Sequence, residues 1–328
     1  PRTVQEKLAD AAQVHAYTGL APTVALHIPW DKVDDYAALA EYAKGLGVEL
    51  GTINSNTFQD EDYKFGSLTH LDPRIRRKAI DHHLECIDIM DATGSRDLKI
   101  WLADGSNYPG QADLRGRQDR LAESLHEIYD RLGAGQRLVL EYKFFEPAFY
   151  STVIQDWGTS VLCAMQLGEK ARSLVDLGHH APNVNIEMIV ARLVQFGKLA
   201  GFHFNDSKYG DDDLDAGSVA PYRLFLVFNE LVSAAQEKVA GFDPAYMLDQ
   251  SHNVTDPIES LMTSAAQVQR SYAQALIVDR PALDAAQEGN DALMATRTLK
   301  SGFETDVTPI LQRVRLEAGG AIDPVGAY

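Results

Sequence analysis

The stretch that decides the expected fold is Leu174-Val-Asp-Leu-Gly-His-His180, followed by Leu199-Ala-Gly-Phe-His-Phe-Asn-Asp206. Each run is short, apolar and closed by polar residues, which is typical of a buried β-strand. The residues between them, from about 185 to 198, carry apolar side chains at helical spacing. A strand, a helix and a second strand in this order predict a βαβ unit with parallel strands.

The same alternation runs through most of the 328 residues. Asp72 followed by Pro73 predicts the start of a long helix that continues to Ala92, because aspartate caps helices and proline suits their first turn. Segments with helical periodicity also separate the other apolar runs. The predicted strands cover residues 23–28, 48–56, 98–103, 137–143, 173–177, 200–204 and 245–250.

Two architectures fit an alternating α/β chain. A doubly wound sheet usually has a glycine-rich turn after its first strand, and no such turn is present here. The sequence therefore favours a (β/α)8 TIM-type barrel, which needs eight strands. Because the chain begins at Pro1 rather than at a methionine, we expect the first barrel strand to be missing from its N-terminus. The barrel is expected to occupy residues 1–257, and a C-terminal helical extension with subunit contacts residues 258–328.

Composition restricts the class of partner. The chain is 45% hydrophobic and 23% charged, with a formal net charge of −17. This acidic balance argues against nucleic acid as a partner, since phosphate binding needs a basic surface. No apolar run approaches the roughly 18 residues of a membrane-spanning helix. We expect a soluble, cytoplasmic protein without membrane contacts, in which Cys86 and Cys163 are small apolar side chains rather than a disulfide.

Chemically active side chains gather at the ends of the predicted strands. In a barrel these ends meet at one rim, where enzyme sites are built. Carboxylates and imidazoles are ligands of Mg, Mn, Co and Zn. Without a cation, so many carboxylates would repel and raise one another's pKa values. The side chains are His27, Asn54, Trp101, Asp104, Glu141, Lys143, Asp176, His179, His203, Asp211, Asp213 and Asp249.

Each of these residues also has a simpler interpretation. A single aspartate at a strand end often caps the next helix, and the run Asp211–Asp213 is typical of a solvated loop. His203 is compatible with a hydrogen-bonded core residue, Trp101 with core packing, and Lys143 with a side chain that reaches the surface. The combination, rather than any one residue, indicates a metal site.

Longer stretches resemble the L-rhamnose isomerases of the type found in pseudomonads, which belong to the xylose-isomerase-like TIM-barrel superfamily. The resemblance extends from about residue 23 to the end of the chain. The stretches that carry it are residues 26–31, 104–111, 146–158, 175–188, 201–217 and 250–260.

The resemblance implies two divalent metal ions per chain, with Mn as the expected ion and Co, Zn or Mg as alternatives. The ligands implied for a first, structural ion are Glu141, Asp176, His203 and Asp249. The ligands implied for a second, catalytic ion are His179, Asp211 and Asp213, with Asp176 shared by both. It further implies a homotetramer.

The implied reaction converts L-rhamnose to L-rhamnulose by a metal-assisted hydride shift, with activity on L-mannose, L-lyxose and D-allose (to D-psicose). Lys143 would donate to the sugar O1, and Asp213 would move a proton between O1 and O2. His27 would assist ring opening, and Trp101 would exclude water. The implied substrate contacts are His27, Trp101, Glu141, Lys143 and His179.

Other functions remain open at this stage. A sugar epimerase on the same barrel would use two opposed carboxylates around a single ion. A non-catalytic, sugar-binding barrel would use the same carboxylates only as helix caps. A metal-dependent phosphodiesterase acting on abasic DNA is disfavoured by the acidic balance and the lack of a basic groove.

Overall fold

The computed structural model describes residues 2–146 and 149–328; Pro147 and Ala148, in the motif at 146–158, lie outside this range, as does Pro1. The strands are β1 (Thr23–Ile28), β2 (Glu49–Ser55), β3 (Asp97–Trp101), β4 (Gly105–Ser106), β5 (Arg137–Glu141), β6 (Ser151–Thr152), β7 (Ala171–Asp176), β8 (Leu199–Phe204) and β9 (Ala245–Leu248). The helices are α1 (Val4–Thr18), α2 (Tyr36–Gly45), α3 (Pro73–Thr93), α4 (Leu114–Arg131), α5 (Trp157–Leu167), α6 (Ile186–Gln195), α7 (Pro221–Gln236), α8 (Pro257–Leu276), α9 (Arg280–Glu288), α10 (Ala292–Glu304), α11 (Thr308–Glu317) and α12 (Pro324–Ala327).

The main sheet is parallel, and its strand order is β1-β2-β3-β5-β7-β8-β9. These seven strands are the seven that the sequence predicts. The sheet is curled. Oγ1 of Thr52 in β2, next to one edge of the sheet, lies only 3.5 Å from Sδ of Met247 in β9, the strand at the other edge. The predicted α/β fold of the TIM-barrel type, with helices around a curled parallel sheet, is confirmed.

Local signals place the helices where the sequence predicts them. The carboxylate of Asp72 accepts a hydrogen bond from the backbone N–H of Arg74, and Pro73 occupies the first turn of α3. The helix ends at Gly94, whose positive φ of 72° favours glycine. A 3-10 helix at Glu61–Phe65 and the antiparallel pair β4–β6 were not predicted, since such short elements show no periodicity.

The sheet has a different core on each face. Leu138 and Leu140 point outward into the large core shared with the helices. Val139 points inward, where it joins a small apolar cluster in the barrel interior. Glu141 is two residues beyond Val139 and therefore points inward as well, above this cluster. The apolar interior is the floor of the site at the carboxyl ends of the strands.

A helical segment follows the last strand, as predicted. Helix α8 packs against α1 and α7, and helices α10, α11 and α12 pack against α8. Within residues 2–146 and 149–328, the helices are each too short or too polar to cross a lipid bilayer. Both cysteines are free, as expected.

Candidate active site

A first set of potential metal ligands forms at the ends of β5, β7, β8 and β9. Nδ1 of His203 lies 3.0 Å from Oε1 of Glu141 and 3.1 Å from Oδ2 of Asp249. The same nitrogen is 3.3 Å from Oδ2 of Asp176. One donor atom from each of the four side chains lies within 4.8 Å of the others, so that they can hold one ion. Asp249 is the exposed member, and the other three are buried.

A second set shares one residue with the first and consists of Asp176, His179 and Asp211. Nε2 of His179 lies 3.2 Å from Oδ1 of Asp211 and 4.0 Å from Oδ1 of Asp176. Nδ1 of His179 is 3.1 Å from the carbonyl oxygen of Tyr142, to which it can donate. A metal-binding imidazole is commonly oriented in this way, which leaves Nε2 for the ligand set.

Asp213 is close to the second set but is not among its members. Its backbone adopts a left-handed conformation with φ of 48°, and its Oδ2 accepts a hydrogen bond from Oγ of Ser251 at 3.1 Å. Burial, together with the nearby carboxylates of Asp211 and Asp176, raises the pKa of Asp213 to about 8. The ligand role implied for Asp213 therefore stays a prediction.

In the absence of an ion, the charges of the site would be balanced by protons and lysines. Although burial lowers the pKa of His203, the carboxylates of Glu141 and Asp249 raise it to about 10. Burial also lowers the pKa of His179, and Asp176 and Asp211 raise it to about 9. A divalent cation would replace such protons on binding.

The donor set fits a divalent cation. Its members are carboxylate oxygens and imidazole nitrogens that face one another, all but those of Asp249 and Asp211 on buried side chains, and such atoms are the ligands of Mn, Co, Zn and Mg. Among the described residues, Oδ1 of Asp211 is buried without a well-aligned hydrogen bond, although His179 is near it. Such an atom is free to coordinate an ion.

The shared residue Asp176 is held by two neighbours. Nδ2 of Asn205 donates to both of its oxygens, at 3.0 and 3.1 Å, and the backbone N–H of Gly178 donates to Oδ1 at 2.8 Å. A Cβ atom at residue 178 would lie 3.3 Å from Oδ1 of Asp211 and 3.4 Å from Oδ1 of Asp176. The backbone therefore approaches both carboxylates closely at this turn.

The ammonium group of Lys143 lies at the edge of the second set. It is 2.5 Å from Oδ2 of Asp211 and 3.0 Å from Oε2 of Glu146. It also lies 5.2 Å from the ring centre of Trp101. Burial lowers the pKa of Lys143, but the two carboxylates outweigh this effect and raise it overall. The side chain is therefore a charged donor directed at the site.

Aromatic rings line the neighbouring part of the rim. His27 stacks on Trp30 with 4.1 Å between ring centres, and Phe58 packs edge-on against Trp101 at 4.7 Å. Among the described residues, Nδ1 of His27, Nε1 of Trp101 and Oδ1 of Asn54 are buried without a hydrogen-bond partner. Burial lowers the pKa of His27 to about 3, so that its ring is neutral. This surface combines apolar faces with polar atoms that a hydroxylated ligand can satisfy.

Comparison with known proteins identifies the family. The chain is 61% identical over 333 aligned positions to a probable sugar isomerase of Rhizobium meliloti (strain 1021), and 59% identical to another of Mesorhizobium japonicum. Both alignments cover all of this chain and 77% of the relative. The chain belongs to this sugar isomerase family. No protein-family model matches it.

More distant proteins are also similar to this chain. The xylose isomerase of Thermus thermophilus is 25% identical over 209 residues, which cover 60% of this chain and 53% of that enzyme. An L-ribulose 3-epimerase structure superimposes with a TM-score of 0.61 at 15% identity, covering 89% of this chain and 94% of the other. A D-psicose 3-epimerase from Clostridium cellulolyticum gives a TM-score of 0.58 at 14% identity, with 92% and 91% covered. The structural likenesses show that this chain shares its fold with these two epimerases.

One strand-end carboxylate of the chain does not reach the site. Both oxygens of Asp104 are occupied by the backbone N–H and hydroxyl groups of Ser67 and Thr69, at 2.6 to 3.0 Å. The expectation that Asp104 contributes to the site is therefore wrong, because its carboxylate anchors a loop.

Other residues that contact the site were not predicted from the sequence. Asn205 is two residues after His203 and so faces the same side, which was an available signal. Lys99 lies in β3 two residues before Trp101, and its Nζ is 2.6 Å from Oε2 of Glu141. For Trp30 and Phe58, the sequence offered no pattern, beyond their being aromatic, that would have predicted a position at the site.

Proposed function

We propose that this sugar isomerase is a metal-dependent aldose–ketose isomerase that converts L-rhamnose to L-rhamnulose and also acts on L-mannose, L-lyxose and D-allose. The observation that carries the proposal is a pair of adjacent ligand sets joined by Asp176, with the ammonium of Lys143 beside the second. The family of probable sugar isomerases supports the reaction class. L-Rhamnose is proposed from the sequence resemblance.

The first metal ion would be held by Glu141, Asp176, His203 and Asp249. The second would be held by Asp176, His179, Asp211 and, as we propose, Asp213. We propose Mn as the ion at both positions. When bound, the ions supply Lewis-acid polarisation of the sugar oxygens.

The side chains of the protein supply the proton chemistry and the surroundings. Isomerisation moves a hydrogen between C2 and C1 and a proton between O2 and O1. Lys143 donates a hydrogen bond to O1, where negative charge develops. The carboxyl group of Asp213 accepts the proton from one hydroxyl and returns it to the neighbouring oxygen. We propose that Glu141 and His179 also contact the sugar.

The aromatic part of the rim prepares the sugar and keeps water away. The neutral ring of His27 has a free Nδ1 that can accept a hydrogen bond from the anomeric hydroxyl, which favours ring opening. The rings of Trp101 and Phe58 cover an adjacent surface. An apolar cover of this kind protects a migrating hydride from exchange with solvent.

Chelation followed by metal addition tests the proposal. The protein is dialysed against a chelator and assayed with L-rhamnose, and the assay is repeated after Mn²⁺ is restored. We expect ketose formation to disappear and return. Turnover that is absent in both states would support a binding protein, and a C3 epimer as the product would support an epimerase.

Isotopic labelling tests the hydride shift separately. With L-rhamnose deuterated at C2, the ketose formed should retain the deuterium at C1. Washout of the label into water would instead indicate proton abstraction and an enediol. A solvent-deuterium experiment with unlabelled sugar is the matched control, and it should leave the carbon positions free of deuterium.

We also propose that the protein is a cytoplasmic homotetramer and that residues 258–328 make its subunit contacts. Apolar side chains exposed on these helices support the second point. They include Leu293, Met294, Ile310 and Leu316. Light scattering coupled to size-exclusion chromatography measures the assembly, and removal of this surface by Leu293→Glu together with Leu316→Glu should shift it to smaller species.

A further inference from the structure

A lysine lies in the barrel interior beneath the first ligand set. Lys99 is in the middle of β3 and only 6% exposed. Its register partner on β5 is Val139, a member of the apolar interior cluster. In the described residues, Glu141 is the carboxylate within 4 Å of this ammonium, and the distance from Nζ to Oε2 is 2.6 Å. A buried charge of this kind needs its partner.

Lys99 and the ligand set use opposite oxygens of the same carboxylate. Oε2 of Glu141 faces Lys99, while Oε1 lies 3.0 Å from Nδ1 of His203 and 3.5 Å from Nδ1 of His179. A metal ion in the first set would therefore share Glu141 with a second cation that is part of the chain. The carboxylate is 2% exposed, so that water contributes little screening.

We propose that Lys99 is an internal counter-cation of the first ligand set, which stabilises the carboxylates when no metal is bound and weakens metal binding by repulsion. The inference rests on the proposed function, because it assumes that this set holds a divalent ion. With His203 neutral as a metal ligand, the carboxylates of Glu141, Asp176 and Asp249 carry three negative charges, and Lys99 reduces the local total to two. The set is thereby matched to a divalent ion and remains assembled before the ion arrives.

The two effects of Lys99 predict that its removal lowers the stability of the metal-free protein more than that of the metal-bound protein. A loss of packing alone would lower both equally. Without the lysine, the metal-free protein loses one of the cations that compensate the buried carboxylate of Glu141, while His203 stays 3.0 Å from its other oxygen, and the protein is destabilised. In the metal-bound protein the ion compensates the same carboxylate, so that the loss is smaller. The repulsion between a unit charge and a divalent ion across one carboxylate corresponds to about tenfold in Kd, even at the dielectric constant of water.

The test is a Mn²⁺ titration of metal-free protein at one fixed pH, read by electron paramagnetic resonance of the free ion. An Asp211→Ala/Asp213→Ala background removes two of the proposed ligands of the second ion, so that the first set is counted alone. We expect Lys99→Met to lower the Kd for Mn²⁺ about tenfold. The rise in Tm on adding Mn²⁺ should also be larger for Lys99→Met than for the parent, because the bound ion compensates for the missing counter-cation.

A second buried lysine provides a matched control. Nζ of Lys198 donates to the backbone carbonyl groups of Ala164, Gly168 and Ala171, and it has no carboxylate partner within 4 Å in the described residues. Lys198→Met should lower Tm equally with and without Mn²⁺ and leave the Kd unchanged. Lys99→Arg keeps the charge and should bind Mn²⁺ as the parent does, and Lys99→Gln replaces Lys99→Met if the latter does not fold.

The outcomes separate this inference from the proposed function. A parent protein that binds no divalent ion would overturn both. A parent that binds Mn²⁺ while Lys99→Met binds it equally or more weakly, with the same loss of Tm in both states, would overturn the counter-cation alone. Equal tightening by Lys99→Arg and Lys99→Met would also overturn it, because charge would then not be the cause.

Discussion

Nζ of Lys143 lies 2.5 Å from Oδ2 of Asp211, so that the lysine proposed to touch the sugar is paired with an aspartate proposed to hold a metal ion. Glu146 holds the same ammonium from the other side, at 3.0 Å. When Asp211 coordinates an ion, Glu146 still keeps the lysine in place. The ammonium is then directed at the space between the metal set and the ring of Trp101.

Lys143→Met should lower turnover while leaving metal binding intact. The variant keeps the stem of the side chain but has no donor for O1, and removal of one such donor commonly lowers kcat by about 10²–10³. We expect this loss with L-rhamnose, together with an unchanged Mn content by elemental analysis. Lys300→Met, which changes an exposed lysine on α10, should retain full activity. Near-normal turnover of Lys143→Met would require a different donor.

Asp213→Asn should block proton transfer and weaken the second ion. An amide cannot accept and return a proton, and loss of a general acid–base group costs about 10²–10⁴ in rate. We expect kcat to fall within this range and Tm in the metal-free state to be unchanged or higher, because the buried carboxyl group is removed from a crowded cluster. Asp130→Asn on the exposed face of α4 is the charge-matched control. Retention of both Mn²⁺ ions and full activity would exclude Asp213 from the site.

Asn205→Ala should weaken metal binding without a direct contact with the ion. Its side chain is 1% exposed and donates to both oxygens of Asp176, which belongs to both ligand sets. Loss of such an orienting partner typically costs about 10–100-fold in affinity. Equilibrium dialysis with Mn²⁺ measures the change. Asn229→Ala removes a buried asparagine on α7, and it should lower stability but leave the Kd for Mn²⁺ unaltered.

His83 should make the fold sensitive to acid. Burial lowers the pKa of this completely buried imidazole to about 3, while in the unfolded chain the value is about 6.5. Below pH 6.5 the unfolded chain therefore binds a proton that the folded chain cannot, and the free energy of unfolding falls with decreasing pH. One such group contributes about 1.4 kcal/mol per pH unit between about pH 6 and 4.

The variant His83→Gln isolates this contribution. Glutamine is neutral at all these pH values and can still donate toward the carbonyl oxygen of Ala79, which lies 2.7 Å from Nδ1 of His83. Urea unfolding of metal-free protein at pH 6.5, 5.5 and 4.5 should show a shallower pH dependence than in the parent. Parallel curves for the two proteins would mean that His83 is protonated in the folded state.

Much of the fold was predictable because its signals are local. The helix that begins at Pro73 is predicted by the capping residue Asp72 and by the spacing of its apolar side chains. The seven strands of the sheet are apolar runs of ordinary length. The hydrogen-bond partners of Asp104 were not predictable. Ser67 and Thr69 lie more than 30 residues away along the chain, on a loop whose path no local sequence pattern describes.

The sequence by itself determined the order of strands and helices and which strand ends carry carboxylates and imidazoles, since both follow from periodicity and position along the chain. Only the tertiary structure decided how these groups are shared. Asp176 belongs to both ligand sets, Asp213 stands beside them, and Lys99 shares Glu141 with the first. These relations depend on strand register and on the curl of the sheet, which bring together side chains from distant parts of the chain.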